Sequence, residues 1–196
     1  MKEKTLRSLR ECCIVKSIRD LDDLPLALNT PNEFIFLQTG NLSTIVDVTT
    51  EAKKHGKYVI LHFDLIDGIS KDVHGLQWLV ENAKMDAIST TRTSLIRNIK
   101  SFGILAAQQM FLLDNHSITT GLNLVEKCKP DFMVVMPGLM PTVVEKITSN
   151  LKCPLIVGGL INECSQAISV LDAGATAVAT SEKKLWEYDF KQQYAY

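Results

Sequence analysis

The chain has 196 residues, 46% of them hydrophobic and 22% charged, with a formal net charge of −1 at pH 7. That length and composition suit one globular domain with a sizeable core, expected to span 1–196 with its barrel core over about 12–190. A near-neutral chain has no whole-molecule field toward nucleic acid or membrane, no apolar run approaches the ~18 residues of a membrane span, and Met1–Arg7 lacks the apolar core of a signal peptide.

Short apolar runs alternate with helical patterns. Lys2, Lys4, Arg7 and Arg10 form a loose basic cluster ahead of the first run, Ile14–Ile18. With Lys183-Lys184 near the other end, which a barrel brings close, they form a joint patch for RNA or, as the neutral net charge and nearby Glu3, Glu11, Glu182 and Glu187 favour, a solvated surface. Lys16 shares parity with Ile14 and Ile18 and reads as an outward or snorkelling lysine. The second run is Phe34–Leu37. After it, Leu42, Ile45, Val46 and Thr49 lie at helical spacing within Asn41–His55, and Gly56 stands as a stop. The third run is Tyr58–His62 and the fourth Ala87–Thr90. A helix is then expected over 93–102, with Leu95, Ile96 and Ile99 on one face and Gly103 at its end. The fifth run is Ile104–Gln108, after which Asn115 opens a helix that ends near Lys129-Pro130. The sixth is Phe132–Met136, followed by Pro141 in a first helical turn. Leu155–Val157 and Ala177–Ala179 complete the set. Trp78 and Trp186 fall in predicted helices and read as packing.

Runs recurring roughly every 20–25 residues have the spacing of βα units. Near-continuous apolar composition suits parallel strands buried on both faces. The fold class expected is therefore α/β, a small single-domain (β/α)8 TIM-type barrel. A doubly wound sheet is the alternative, but it lacks the Gly-x-Gly-x-x-Gly turn of a dinucleotide domain. A barrel of this length is close to minimal, with short loops and little room for a lid. The five cysteines (Cys12, Cys13, Cys128, Cys153, Cys164) are odd in number and form no Cys-x-x-Cys pair. They argue against zinc or a disulfide framework and for reduced thiols in the cytoplasm.

Barrels place their chemistry at the C-terminal ends of the strands. Gly158-Gly159 and Thr180-Ser181 follow the last two runs, where glycines let a backbone approach a ligand and helix starts offer free N–H groups to phosphate. They read as a phosphate cup, the plainer alternative being two ordinary strand–helix turns. Gly138 stands after the sixth run and Gln109 after the fifth. Arg19 and Arg92 are candidate cations for a phosphate, or else surface ion-pair partners. His62 and Asp64 share parity with Ile60 and are expected at the mouth. There they serve as hydrogen-bonding groups for a hydroxylated ligand, as an acid/base pair, or as a structural closure of the third loop. No nucleophile elbow and no third metal ligand accompany them, so neither catalytic nor metal residues are assigned.

The sequence resembles the glycerol-3-phosphate-responsive antiterminators of bacterial glycerol uptake operons. The resemblance runs from about Ile14 to Trp186. It is carried by His62-Phe63-Asp64-Leu65-Ile66-Asp67-Gly68, Thr91-Arg92, Phe111-Leu112-Leu113-Asp114, Pro130-Asp131-Phe132, Pro137-Gly138, Gly158-Gly159-Leu160-Ile161, and Ala173-Gly174-Ala175 through Thr180-Ser181 to Leu185-Trp186. It implies a small barrel that senses glycerol 3-phosphate, binds a leader mRNA and regulates transcription without catalysis or a cofactor. The phosphate would sit on Gly158, Gly159, Thr180 and Ser181, and the glycerol would face His62 and Asp64. The chain departs from the family pattern at Gln109, Val134 and Asn162, where the pattern carries Arg, Glu and Arg. If that Arg and Glu pair, loss of both leaves no unpaired buried charge; if either touches ligand, the effector specificity or affinity is altered. The full set of expected ligand-binding residues includes Thr91 beside Arg92. A phosphosugar or phosphotriose enzyme on the same barrel is the second reading, with His62 and Asp64 as acid and base. A barrel that has lost its ligand is the third. Composition leaves the RNA face and a possible homo-oligomer open.

Overall fold

A computed structural model describes residues 2–188 and 190. Met1, Asp189 and 191–196, and with them the ends of the expected 1–196 span, lie outside the described residues. The elements in order are α1 (Lys2–Arg10), β1 (Ile14–Ile18), α2 (Leu24–Asn29), β2 (Phe34–Leu37), α3 (Ile45–Lys54), β3 (Tyr58–His62), α4 (Val73–Asn82), β4 (Ala87–Thr90), α5 (Ile96–Ser101), β5 (Leu105–Phe111), α6 (Asn115–Cys128), β6 (Phe132–Met136), α7 (Pro141–Thr148), β7 (Leu155–Gly158), α8 (Cys164–Asp172), β8 (Ala177–Thr180) and α9 (Lys183–Trp186). All eight strands are parallel to their neighbours and close into one barrel, β8 pairing β1 with Lys16 opposite Thr180. The α/β barrel expected from the spacing is the observed fold.

Strand alternation divides the core into two. Inside the barrel stand Val15, Phe34, Phe36, Ile60, Ala87, Leu105, Ala107, Phe132, Val134, Ile156, Ala177 and Ala179. Phenylalanines on β2 and β6 face alanines on β4, β5 and β8, so large and small residues interdigitate and fill the interior without a pore. The opposite strand faces pack under the helices with Ile14, Ile35, Leu61, Ile88, Met133 and Val157. The periodicity of the first residues did not announce α1, yet its Leu9 is 1% exposed and belongs to the interior cluster with Leu6 beside it. The helix thus plugs the N-terminal end of the barrel.

Two helices differ at their starts from the sequence reading. Asn41 Oδ1 accepts from the N–H groups of Ser43 (2.9 Å) and Thr44 (3.2 Å), which makes a turn of 41–44 and delays α3 to Ile45. Residues 93–95 form a 3-10 turn before α5. β5 runs past Gln108 to Phe111 because β6 continues beside it, with Phe111 opposite Met136. Asp114 caps α6, its carboxylate accepting from Ser117 N at 2.7 Å.

Lys16 corrects the snorkelling expectation. It points outward from the barrel but is fully buried, its Nζ donating to Ala27 O (2.5 Å), Thr30 Oγ1 (2.9 Å) and Asn32 O (2.5 Å). Three acceptors match the three donors of an ammonium. Lys57 Nζ donates to Thr30 O at 2.6 Å, so two amines share one buried turn. Burial, then the neighbouring Lys57 charge, pushes Lys16 down to about 7. Trp186 is also fully buried. Its indole N–H donates to Thr180 O at 2.8 Å, and its carbonyl accepts from Asn32 Nδ2 at 2.7 Å, tying the last helix to β8 and to the start of β2.

Candidate functional site

The C-terminal ends of β1, β2, β6, β7 and β8 surround a depression of about 210 Å³. Its walls include Ser17, Arg19 and Gln38 on one side and Gly159, Leu160, Thr180 and Ser181 on the other. The closing seam of the barrel, where the first and last strands meet, is therefore the floor of the cup. Ser17 and Gln38 continue the inward parity of Val15 and of Phe34 and Phe36, so they turn toward the barrel axis once the core ends.

Gly158 and Gly138 make the cup possible by closeness. A Cβ on Gly158 would stand 2.9 Å from Ala179 O, and one on Gly138 3.0 Å from Gly158 N. The β6 and β7 loops are joined by Gly138 N donating to Gly159 O at 3.2 Å. Gly159 and Leu160 both take left-handed backbone, with φ of 78° and 64°. For leucine this conformation is strained, and Leu160 is 66% exposed, so packing does not hold it there. Thr180 Oγ1 donates to Ile161 O at 2.9 Å and accepts from Glu182 N at 3.0 Å, which ties the two loops of the cup together. The N–H groups of Leu160, Ile161 and Ser181 have no acceptor among the described residues. Arg19 Nε leans on Gln38 Oε1 at 3.3 Å and carries no carboxylate partner among the described residues. Free N–H groups with one guanidinium beside them are what a phosphate monoester needs.

His62, Asp64, Thr91 and Arg92 form a second cluster across the mouth. Asp64 sits in a 3-10 turn (63–65) directly after β3. Its carboxylate accepts from Thr90 Oγ1 (3.1 Å to both oxygens), Thr91 N (2.7 Å), Thr91 Oγ1 (3.1 Å) and Arg92 Nε (3.3 Å). Those donors bind the end of β3 to the end of β4, which is the structural closure considered for this pair. Arg92 is spent on Asp64 and, with Thr91, does not line the cup. His62 points inward, 3% exposed, stacked on Phe36 with ring centroids 5.9 Å apart. Its Nδ1 is 3.9 Å from Asp64 Oδ2, too far for a hydrogen bond, and has no partner among the described residues. Burial lowers the His62 pKa, against the pull of Asp64, so the ring is neutral at pH 7. Lys71, unremarked in the sequence, donates to Phe63 O at 3.0 Å and to Ile66 O, and so braces this loop.

Gln109 lies deeper, 3% exposed, accepting from Ser89 Oγ at 3.2 Å and directly paired with Val134. Both face the interior. The two positions where the resemblance implies opposite charges are thus cross-strand neighbours, and a neutral amide and a valine occupy them. Sequence reasoning brought Arg19, Gly158, Gly159, Thr180 and Ser181 to one place. It missed Ser17, Gln38 and Leu160, although inward parity continued past the apolar residues marks the first two.

A family model described as Glycerol-3-phosphate responsive antiterminator matches residues 14–186. The glycerol uptake operon antiterminator regulatory protein from Listeria monocytogenes superposes with a TM-score of 0.86 at 31% identity, over 89% of this chain and 95% of that one. A glycerol uptake operon antiterminator-related protein from Thermotoga maritima shares the fold at a TM-score of 0.80 and 23% identity, over 90% and 99% of the two chains. The uncharacterized protein YgcP of Escherichia coli is 29% identical over 181 residues, 92% of this chain and 95% of that protein.

Proposed function

Because the chain belongs to the glycerol-3-phosphate responsive antiterminator family, we propose that it is a regulator that binds glycerol 3-phosphate in the cup at the barrel seam and, in response, binds a leader mRNA so that a terminator is not used. The cup itself carries this reading. About 210 Å³ is room for a small phosphoester and little more, and its free N–H groups and Arg19 address one phosphate. The glycerol hydroxyls face the His62 side of the mouth, where the unpartnered His62 Nδ1 is buried and reaches a ligand only if the ring turns. The protein works in the cytoplasm, where leader transcripts are made. Among the described residues no helix is long and apolar enough to cross a membrane.

The second reading, a barrel enzyme acting on a small phosphosugar, draws on the His62–Asp64 pair. The hydrogen bonds of Asp64 weigh against it. Its oxygens are filled by Thr90, Thr91 and Arg92, so the carboxylate holds strand ends together and has no free edge for proton transfer.

Calorimetric titration with glycerol 3-phosphate, against glycerol and inorganic phosphate, tests the proposal. Saturable binding of the phosphoester above both controls supports it. Binding of no phosphate compound overturns the sensor and leaves a barrel that has lost its ligand. Turnover of a phosphosugar, abolished in His62→Asn, would establish the enzyme instead.

A further inference from the structure

A second depression, about 870 Å³, lies far from the cup between α6 and α7. Lys127 and Lys129 stand on the α6 side, Lys146 and Lys152 on the α7 side, with Leu122 and Leu151 among the apolar residues between them. All four lysines are exposed, and none forms an ion pair among the described residues. One acidic residue, Glu126, shares the lining. Lys129 is held at φ 49° where α6 ends. Glycine takes that helix-ending position without strain, so a lysine there keeps a cation at the groove against a backbone preference. On a chain of net charge −1, four unpaired cations around one groove are a local concentration of charge.

We propose that the α6–α7 groove is the surface that holds RNA, with the four lysines on the phosphates of a single-stranded segment and its bases against the apolar strip between them. This assignment rests on the RNA-binding reading above. Charge complementarity selects a polyanion. The apolar strip selects one with exposed base faces, which a duplex keeps stacked away. The groove also has a physical connection to the effector cup. α7 begins two residues after Gly138-Leu139, next to the Gly138–Gly159 hydrogen bond, and its other end carries Lys146 and leads to Leu151 and Lys152. A change in the cup loops that tilts α7 changes the width of the groove.

The test is fluorescence anisotropy with a labelled random-sequence single-stranded RNA pool over a range of salt, with and without saturating glycerol 3-phosphate. The variant K127E/K146E alters one lysine on each wall. K54E/K84E makes the same charge change elsewhere. The groove variant is expected to lose about tenfold or more in affinity, and its log–log salt slope to shrink by about 1.4, or about 0.7 per phosphate contact. The control variant is expected to stay within about twofold of wild type. Retained glycerol 3-phosphate binding and circular dichroism verify that the groove variant is folded. Equal affinities for the two variants overturn the assignment. So does a wild-type dimer that the groove substitutions split while RNA affinity is unchanged, which would make the groove a contact between two copies of the chain. Failure of the wild type to bind any RNA is a separate outcome, because it removes the RNA-binding reading itself and the groove assignment with it.

Discussion

Among the described residues Arg19 is the one side-chain cation that lines the cup, and its guanidinium is engaged there by nothing stronger than the Gln38 amide. Arg19→Ala is therefore expected to weaken glycerol 3-phosphate binding about tenfold or more, the usual effect of losing a charge-assisted hydrogen bond. Arg92→Ala is expected to act on stability first, since it removes a donor from Asp64. Calorimetry and urea unfolding on both variants separate these effects. Leu160 offers an opposite kind of test. It is exposed yet left-handed, so Leu160→Gly removes strain with little lost packing and should raise the unfolding free energy by up to about 1 kcal/mol. A fall in stability would mean that the leucine side chain is held by something other than the loop conformation.

Lys16 gives a pH prediction. Its folded pKa, near 7, lies below the unfolded value. Between about pH 7 and 10.5 the unfolded chain then binds the extra proton, so stability from this group rises with pH across that window and its burial penalty is full below it. Lys16→Met abolishes this contribution. From pH 7 to pH 9 the wild type should gain about 2 kcal/mol relative to the variant, measured by urea unfolding at both pH values. His62 acts in the same sense at lower pH. Its pKa lies below the ordinary histidine value, so stability declines as pH falls below about 6.5. Neither effect was legible in the sequence. Lys16 sits at outward parity, which says that it faces helices, but not that the turn of Ala27, Thr30 and Asn32 would fold over it.

At the scale of elements, the strands were the easy part. Each is an apolar run bounded by polar turns, and burial on both faces leaves little ambiguity in where such a run starts. Strand ends were harder, as at β5, because they depend on how far a neighbour continues. α1 was missed because nine residues of mixed charge form a stable helix only by docking Leu9 into the open end of the barrel. The cup was readable because glycine pairs and hydroxyls mark it chemically. The role of Asp64 was not, since it is decided by Thr90–Arg92 on the next strand. Trp186 shows what the last short helix contributes. Trp186→Ala opens a cavity under α9 and removes the indole donor to Thr180 O, while the backbone bond from Asn32 is kept, with an expected cost of about 3–5 kcal/mol in thermal or urea unfolding. A cost below about 1 kcal/mol would show that α9 is not part of the cooperative unit.

For the molecule as a whole, effector and RNA are expected to be linked through α7, and linkage is reciprocal. If glycerol 3-phosphate raises RNA affinity by some factor, RNA raises glycerol 3-phosphate affinity by the same factor. Titrating each in the presence and absence of the other measures this, and unequal factors would mean that the two do not share one equilibrium. The seam location of the cup has a consequence in time as well as in space. Its walls come from Ser17, Arg19 and Gln38 near the beginning of the chain and from Thr180 and Ser181 more than a hundred residues later. During translation the early wall emerges long before its counterpart, and no pocket exists until residue 181 has cleared the ribosome. If the cup is the effector site proposed above, a nascent chain is blind to the effector, and a product cut short before β8 stays blind.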